Sequence, residues 1–434
     1  MRIAIRGRSG MYISRLDISG LRGFVGPRSV HLDFARPDGT YSGWTVLAGR
    51  NGSGKTSILQ AIALSIMGGM GNINSEEIEE WGRYSSNGTA DVAVNVVQIP
   101  EPFTRQFNNF TYSATWGNLN FHGAPGADPS LPRAIFGEVP KVLPACGYGP
   151  RRRLTSPRLR HHIPAFDSFR TLFDDEVGLT EGVSWLIQQH LYRLEKRPGA
   201  AELLKHVVGL IGDGLLPEDY TIEDVDSDGL WVRRRSDRVI LRHMSDGYQT
   251  TVALVLDIVR QMSGAYGELD FGLHDAVPVI LNPGLVLIDE VDVHLHISWQ
   301  MRIGDWLKSH FPNVQFIVST HSPFICQSAD PGGLIRLPGP EENVGPHQVD
   351  QDLYERIVFG SADDAILTDL FGMDSPYSAQ AEKMRGRLEY LERRVLNGEA
   401  TGEEKNEYRE LTRSLTSSPS ARVDEIASRL GLEP

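Results

Sequence analysis

The sequence "GRNGSGKT" at residues 49–56 fits the pattern G-x-x-x-x-G-K-[ST] at every fixed position. It follows "GWTVLAG" (43–49), a β-branched apolar run bounded by glycine, which predicts a buried strand. It precedes "SILQAIALSIMGG" (57–69), where isoleucines recur at helical spacing and glycines end the pattern. A strand, a glycine-rich loop and a helix in this order predict an α/β protein with a phosphate-binding loop.

Backbone N–H groups in such a loop, and at the N-terminus of the helix after it, hold phosphate oxygens. Lys55 is expected to reach the outer phosphates, and Thr56 is expected to offer its hydroxyl to Mg²⁺. ATP and Mg²⁺ are therefore the predicted cofactors. The other predicted nucleotide-binding residues of this segment are Gly49, Asn51, Gly52, Gly54 and Ser57.

Two later apolar runs end in residues suited to phosphate chemistry. "GLVLIDEVD" (284–292) predicts a strand ending in Asp289, a ligand of the Mg²⁺ shell, and Glu290, which would polarise the attacking water. "VQFIVSTHSPF" (314–324) predicts a strand over 316–318 that leads to His321. Ligands of open α/β sheets gather at the carboxyl ends of strands, so His321 is a candidate γ-phosphate contact and catalytic residue.

The stretch "RHMSDGYQT" (242–250) would be an ordinary turn if it stood alone, but "TTVALVLDIVR" (250–260) predicts a helix directly after it. This Ser-x-Gly-x-Gln loop resembles the signature loop of ABC-type ATPases, which presents its serine and backbone N–H groups to ATP held by a second subunit. The resemblance implies nucleotide contacts by Ser245, Gly247 and Gln249, and a dimer closed around ATP.

Two stretches narrow the resemblance. "MYISRLDISGLRGF" (11–24) resembles the first strands of RecF, SMC-like and OLD-type (overcoming lysogenization defect) ATPases. "DEVDVHLHISWQ" (289–300) resembles OLD-like and anti-phage defence ATPases, including the ATPase subunit of Septu systems, although Ile297 stands where that pattern has proline. The resemblance also implies a Q-loop, for which two candidates remain open: Gln98 and "VLPACGYGPRRR" (142–153). The implied fold is an ABC-type P-loop ATPase head with an inserted helical/β lobe and a C-terminal helical extension.

The predicted organisation has four parts. Residues 1–98 form an N-terminal ATPase lobe, 99–220 an inserted lobe that is helical in its second half, 221–345 the second ATPase lobe, and 346–434 a C-terminal helical region. The stretch near 99–140 is polar and rich in glycine and proline, and "DSDGLWVRRRSDRVILRHM" predicts a hairpin of 230–234 with 238–242. Residues 1–10 precede the usual start of the family and are interpreted as an extra leader or a start-site artefact.

Composition indicates which broad classes of protein the chain can belong to. The 434 residues carry a net charge of −13 and 40% hydrophobic residues, which is typical of a soluble globular protein and argues against a surface that coats nucleic acid. No apolar run approaches the ~20 residues of a membrane span, and the first residues lack a signal-peptide core. Cys146 and Cys326 do not make a disulfide framework, so the chain is predicted to be cytoplasmic.

Two surfaces are candidates for partners. The acid-free run "RRRLTSPRLRHH" (151–162) is interpreted either as a DNA contact through Arg151, Arg152 and Arg153 or as solvated loop charge, whereas "RRRSDR" (233–238) is more typical of a solvated hairpin. Near the C-terminus, an αα-hairpin is predicted to dock another subunit or to pack on its own ATPase domain. Its apolar stripe comprises Met384, Leu388, Leu391, Val395, Tyr408, Leu411 and Leu415.

The sequence therefore predicts an ATPase that forms a homodimer or higher oligomer around ATP and controls a separately encoded effector, such as a nuclease or toxin, in bacterial anti-phage defence. A RecF-like DNA-binding repair ATPase is the alternative. A transporter subunit is disfavoured by the long segment between Thr56 and Ser245.

Overall fold

The computed structural model describes residues 10–36, 39–67, 89–99, 108–117, 122–126, 144–152, 167–174, 177–179, 181–217, 219–373 and 375–415. The chain divides into two compact units, Met1–Ala365 and Ile366–Pro434. The described strands are β1 (Gly10–Ser19), β2 (Val30–Asp33), β3 (Trp44–Ala48), β4 (Thr89–Ile99), β5 (Asn108–Gly117), β6 (His122–Gly126), β7 (Ala145–Tyr148), β8 (Tyr220–Val225), β9 (Leu230–Arg234), β10 (Asp237–Ile240), β11 (Phe271–His274), β12 (Val277–Ile280), β13 (Gly284–Ile288), β14 (Val314–Thr320), β15 (Leu334–Arg336) and β16 (His347–Gln348).

The described helices alternate with these strands in the first unit and dominate the second. They are α1 (Lys55–Met67), α2 (Arg170–Phe173), α3 (Glu181–Leu194), α4 (Ala200–Gly212), α5 (Asp246–Tyr266), α6 (Ile297–Gln300), α7 (Ile303–His310), α8 (Pro323–Cys326), α9 (Gln351–Phe359), α10 (Ala362–Ile366), α11 (Ala379–Leu396) and α12 (Gly402–Leu415).

The central sheet has the strand order β16-β15-β3-β14-β13-β7 among the described residues. Its strands pair in parallel except β16, which pairs antiparallel with β15. Every residue of β3, β13 and β14 is buried, as expected for parallel strands covered on both faces. Because parallel strands end at the same edge, the segments that follow β3, β7, β13 and β14 meet there. The three predicted strands are confirmed, and the third is longer than the predicted 316–318.

A second, antiparallel sheet with the order β2-β1-β4-β5-β6 lies across α1 from the central sheet. Eleven of the thirteen residues of α1 are buried, because this helix packs between two sheets and has no solvent face. Gln315 of β14 joins the sheets at an irregularity in β1, where the backbone N–H of Ile13 donates to its Oε1 at 2.6 Å.

The strands β5 and β6 lie in the polar, Gly/Pro-rich stretch near 99–140, for which the sequence analysis predicted no strands. Both strands extend the antiparallel sheet beyond β4. A signal was present in "NNFTYSATWG", where Phe110, Tyr112, Ala114 and Trp116 alternate with polar residues at the period of a strand.

The predicted helices between 166 and 212 are confirmed as α3 and α4, and α3 packs against α5. The predicted hairpin is also present, but its second strand begins one residue earlier than predicted, at Asp237, after a turn at Arg235, whose φ of 54° is left-handed. Its second strand ends at Ile240, and Leu241–His243 form a 3-10 turn that leads directly into the signature loop.

The second unit contains the predicted αα-hairpin, formed by α11 and α12. Leu391 of α11 is fully buried, and the guanidinium of Arg387 donates to both carboxylate oxygens of Glu407 of α12 at 2.9 and 2.7 Å. In the described part of the chain, no helix is both long enough and apolar enough to cross a bilayer.

Candidate functional site

The loop between β3 and α1 turns sharply because two glycines adopt left-handed backbone angles. Gly52 has φ 78° and Gly54 has φ 94°, which residues with a Cβ rarely adopt. A Cβ on Gly54 would also lie 2.5 Å from Cζ of Phe24. Phe24 therefore backs the loop, and the N–H groups of the first turn of α1 remain without partners inside the helix, as phosphate binding requires.

Lys55 is buried at the start of α1, with 6% of its surface exposed. Its Nζ donates to the carbonyl oxygens of Gly49 at 2.9 Å and Arg50 at 3.1 Å, so the ammonium lies over the loop. Burial lowers the pKa of Lys55 to about 8, against the opposing effect of Asp289 and Glu290. A phosphate group brought to this ammonium would favour its charged form, which burial disfavours.

Thr56 and Asp289 bring the two phosphate motifs together. The Thr56 hydroxyl donates to Asp289 Oδ2 at 2.7 Å, and the Ser319 hydroxyl donates to Oδ1 of the same carboxylate. Asp289 is 1% exposed and lies at the end of β13, beside Tyr148 of β7, whose carbonyl accepts its N–H at 2.7 Å. A hydroxyl and a carboxylate in contact at a phosphate loop are a suitable oxygen set for Mg²⁺, with phosphate oxygens completing the shell.

Glu290 follows Asp289 in a left-handed conformation with φ 46°. Its backbone N–H donates to Ser319 Oγ at 2.7 Å. Burial, then the charges of Asp289 and Asp292, raise the pKa of its carboxyl above the ordinary value, and Lys55 opposes this. A carboxylate with a raised pKa beside the two candidate Mg²⁺ ligands, Thr56 and Asp289, is suited to accept a proton from water.

His321 comes directly after β14, and its side chain is half-buried. Burial, then the charge of Lys55, lower the pKa of its imidazole, which favours the neutral ring. The segment around it is tied to the loop after β13, because Ser322 Oγ donates to Gln300 Oε1 at 2.7 Å and Gln300 Nε2 donates to the carbonyl of Leu295 at 3.0 Å.

The signature loop has a different setting. Ser245 is exposed at the N-cap of α5, and its hydroxyl makes no capping hydrogen bond. Gly247 lies against the loop after β13, where an added Cβ would be 2.5 Å from the carbonyl oxygen of His294. Gln249 Nε2 donates to the Met244 carbonyl at 2.6 Å, so this side chain closes the turn. Ser245 thus presents an available hydroxyl to solvent.

Two family models match the chain. Residues 15–116 match "AAA domain", and residues 183–327 match "AAA domain, putative AbiEii toxin, Type IV TA system". The Septu protein PtuA of Bacillus mycoides is 26% identical over 316 residues, which is 72% of this chain and 38% of that protein. The "Retron Vc95 probable ATPase" of Vibrio cholerae is 39% identical over 103 residues, which is 22% of this chain and 17% of that protein.

Over these residues the chain is similar to AAA-domain proteins, to Septu PtuA proteins and to retron ATPases. It spans less than half the length of the curated relatives it matches. Among solved structures, an SMC head bound to the C-terminal winged-helix domain of ScpA aligns with a TM-score of 0.43 at 16% identity, covering 79% of this chain and 98% of that one.

Two contacts of the candidate site were missed from the sequence. Arg22 has φ 47° and donates from Nη1 to Ser57 Oγ at 2.8 Å, linking the end of β1 to the predicted nucleotide-binding Ser57. The signal for it was present in the "LRGF" of the first-strand pattern. Asn51, by contrast, is exposed on the loop. The second missed contact comes from the arginine run that follows β7.

Sequence analysis left Arg152 open between a DNA contact and solvated loop charge, and the structure agrees with neither. Its side chain is 1% exposed, and its guanidinium donates to the carbonyls of Gly149, Asp289 and Glu290. The physical reason is that β7 lies beside β13, so the loop after Tyr148 runs against the Asp289–Glu290 backbone. Arg151 is exposed, and Arg153 lies outside the described residues.

The arginines of the second cluster (233–238) have acidic or aromatic partners nearby. Arg233 pairs with Glu223, Arg234 with Asp219 at 2.6 Å, and the Arg238 guanidinium lies 4.0 Å from the Trp231 ring centre. These contacts agree with a solvated hairpin. Gln98, the first Q-loop candidate, lies in β4 with its side chain outside the described residues, whereas the 142–153 candidate reaches the Asp289 backbone through Arg152.

Proposed function

We propose that this chain hydrolyses ATP with Mg²⁺ at the edge of the central sheet. The observation that carries this proposal is the hydrogen bond from Thr56 to Asp289, because it puts the two predicted Mg²⁺ ligands in contact at the mouth of the phosphate loop. Lys55 would bind the outer phosphates. Glu290 would polarise the attacking water, and His321 would contact the γ-phosphate.

The second part of the proposal is a dimer, or a higher oligomer built from dimers, closed around ATP. The exposed, uncapped hydroxyl of Ser245 and the adjacent N–H groups of α5 support it, because they are available to a phosphate held by another subunit. Contact of Gly247 with His294 would link that surface to the loop behind Glu290. The nucleotide site of one subunit would therefore be completed by residues of the other subunit.

The biological part of the proposal is control of a separate effector in anti-phage defence. Support comes from the similarity to a Septu protein and to an ATPase of a retron system. The αα-hairpin of the second unit is the proposed docking element, since Tyr390 and Leu396 are exposed on α11. The effector would be a nuclease or toxin. ATP would bias the state of the effector by favouring one arrangement of the two ATPase subunits.

The test of hydrolysis is Glu290→Gln. This variant should bind ATP as the wild type does but hydrolyse it about 10²-fold more slowly or worse, because the water loses its proton acceptor while Asp289 still serves the metal. Binding is measured by calorimetry with a non-hydrolysable analogue, and hydrolysis by phosphate release.

The matched control is Glu268→Gln, which removes an exposed carboxylate in the segment after α5 and should leave both measurements unchanged. Wild-type turnover by Glu290→Gln would remove Glu290 from the mechanism. Loss of binding in Glu290→Gln would show that the carboxylate supports nucleotide affinity instead of water attack.

A further inference from the structure

Arg152 is among the largest fully buried side chains of the described structure. Its Nη1 donates to the carbonyl oxygens of Gly149 at 2.7 Å and Asp289 at 2.6 Å, and its Nη2 donates to that of Glu290 at 2.8 Å. Burying a cation is costly unless hydrogen bonds compensate it, so this guanidinium is held for a reason beyond filling space.

The carbonyls of Asp289 and Glu290 belong to successive peptide groups. The Asp289 oxygen lies on the peptide before the Glu290 Cα, and the Glu290 oxygen lies on the peptide after it. Rotation between these two planes is what φ and ψ of Glu290 describe. A planar guanidinium that binds both oxygens therefore fixes the backbone conformation of Glu290.

That conformation is one that needs holding. Glu290 has φ 46°, in the left-handed region, where a residue with a Cβ is disfavoured by about 1–2 kcal/mol. Ser319 holds the same backbone from the other side, since its hydroxyl accepts the Glu290 N–H at 2.7 Å and its carbonyl accepts the Val291 N–H at 3.0 Å. These backbone contacts fix the direction of the Glu290 Cα–Cβ bond, from which the carboxylate projects.

We propose that Arg152 is a positioning residue for hydrolysis, which fixes the Glu290 backbone so that the carboxylate faces the attacking water. This inference rests on the proposed role of Glu290. Arg152 acts through Glu290 and not on the nucleotide, because Nη1 and Nη2 are engaged by the three carbonyls.

The test uses Arg152→Met and Arg152→Lys in the full chain. Both should lower kcat by about 10²-fold, the scale expected when a catalytic group is misplaced, and both should keep the affinity for a non-hydrolysable ATP analogue. Lysine keeps the charge without the planar fork, so it should not rescue kcat. If Arg152→Met fails to fold in a thermal unfolding scan, Arg152→Lys carries the test. Arg197→Met, an exposed arginine paired with Glu195, is the control and should behave as wild type.

A double-mutant cycle separates positioning from direct catalysis and from the parent proposal. In the Glu290→Gln background, Arg152→Lys should cause no further loss of single-turnover hydrolysis, because its only route of action is gone. A full additional loss, a loss of analogue affinity, or rescue of kcat by lysine would overturn the positioning role alone. Wild-type hydrolysis by Glu290→Gln itself would overturn the assignment of Glu290 and, with it, the basis for this inference.

Discussion

At the residue scale, two glycines of the phosphate-binding loop meet different demands. Gly52 has φ 78° with no atom within 4 Å of a Cβ position, so only its backbone angle calls for glycine. Gly54 has φ 94° and also lies against the Phe24 ring. The loop is thus constrained by conformation at one position and by conformation and packing at the other.

Gly54→Ala should therefore be more damaging than Gly52→Ala. The Gly52 change adds about 1–2 kcal/mol of backbone strain, and the Gly54 change adds a further overpacking cost of about 1–3 kcal/mol against Phe24. Chemical denaturation and ATP-analogue calorimetry on both variants test this order. Equal losses would mean that Phe24 moves aside without cost.

Lys55→Ala should abolish or nearly abolish ATP binding, because it removes the one charge that the structure buries over the loop carbonyls for contact with phosphate. Lys205→Ala, on the exposed face of α4, is the control. Unchanged affinity of Lys55→Ala in calorimetry would reject the assignment of this loop as the nucleotide site.

At the element scale, α5 joins two parts of the site. Its N-terminus carries Ser245, and its middle carries Asp257, a buried acid that accepts from the Tyr148 hydroxyl at 2.9 Å and from Arg260 at 2.8 Å. Arg260 also pairs with Glu181 of α3 at 2.8 Å. The strand β7, which precedes Arg152, is therefore hydrogen-bonded directly to α5, the helix that begins at the signature loop.

Asp257→Ala should lower the free energy of unfolding by about 3–5 kcal/mol, because it leaves Arg260 without its buried counter-ion. Tyr148→Phe removes one hydrogen bond to the same carboxylate and should cost less, about 1.5–3 kcal/mol. Urea denaturation of both variants measures the difference. A cost of Asp257→Ala no larger than that of Tyr148→Phe would mean that Glu181 compensates for the loss.

Ser245→Arg should stop hydrolysis by blocking ATP held in the other subunit, and Glu290→Gln should stop it within its own subunit. Mixed in equal amounts, the two inactive variants should recover up to about a quarter of the wild-type rate, because half the dimers would then carry one intact composite site of two. Full activity of Ser245→Arg alone would contradict a shared site, and no recovery on mixing would contradict exchange between dimers.

The sequence could predict what spacing alone determines. Lys55, Thr56, Asp289 and the strands before them follow from local pattern, and they lie where expected. Arg152 could not be predicted, because three arginines in a row look alike in the sequence and the pairing of β7 with β13 is what buries Arg152. β5 and β6 were missed because glycine and proline nearby outweighed a clear alternation.

At the scale of the whole molecule, the chain has two compact units, with all the recognised phosphate chemistry in Met1–Ala365. Deleting residues 376–434 should therefore leave ATP binding intact while releasing the effector and abolishing phage protection. Co-purification from the native operon, with calorimetry on the truncated ATPase, provides the measurement. If the truncated chain still retains its neighbour, the docking surface lies in the first unit.

The central sheet also orders events during synthesis. Among the described residues, β3, which ends at the phosphate loop, pairs with strands made far later: Trp44 pairs with Phe316, and Val46 with Leu334. While the chain is still emerging from the ribosome, the glycine loop has no neighbouring strands to support it, and contacts this distant in sequence form late and slowly. A translation product cut short before β15 would lack the framework for nucleotide binding. Such a fragment could not signal to the proposed effector, so an incompletely synthesised ATPase would not activate it.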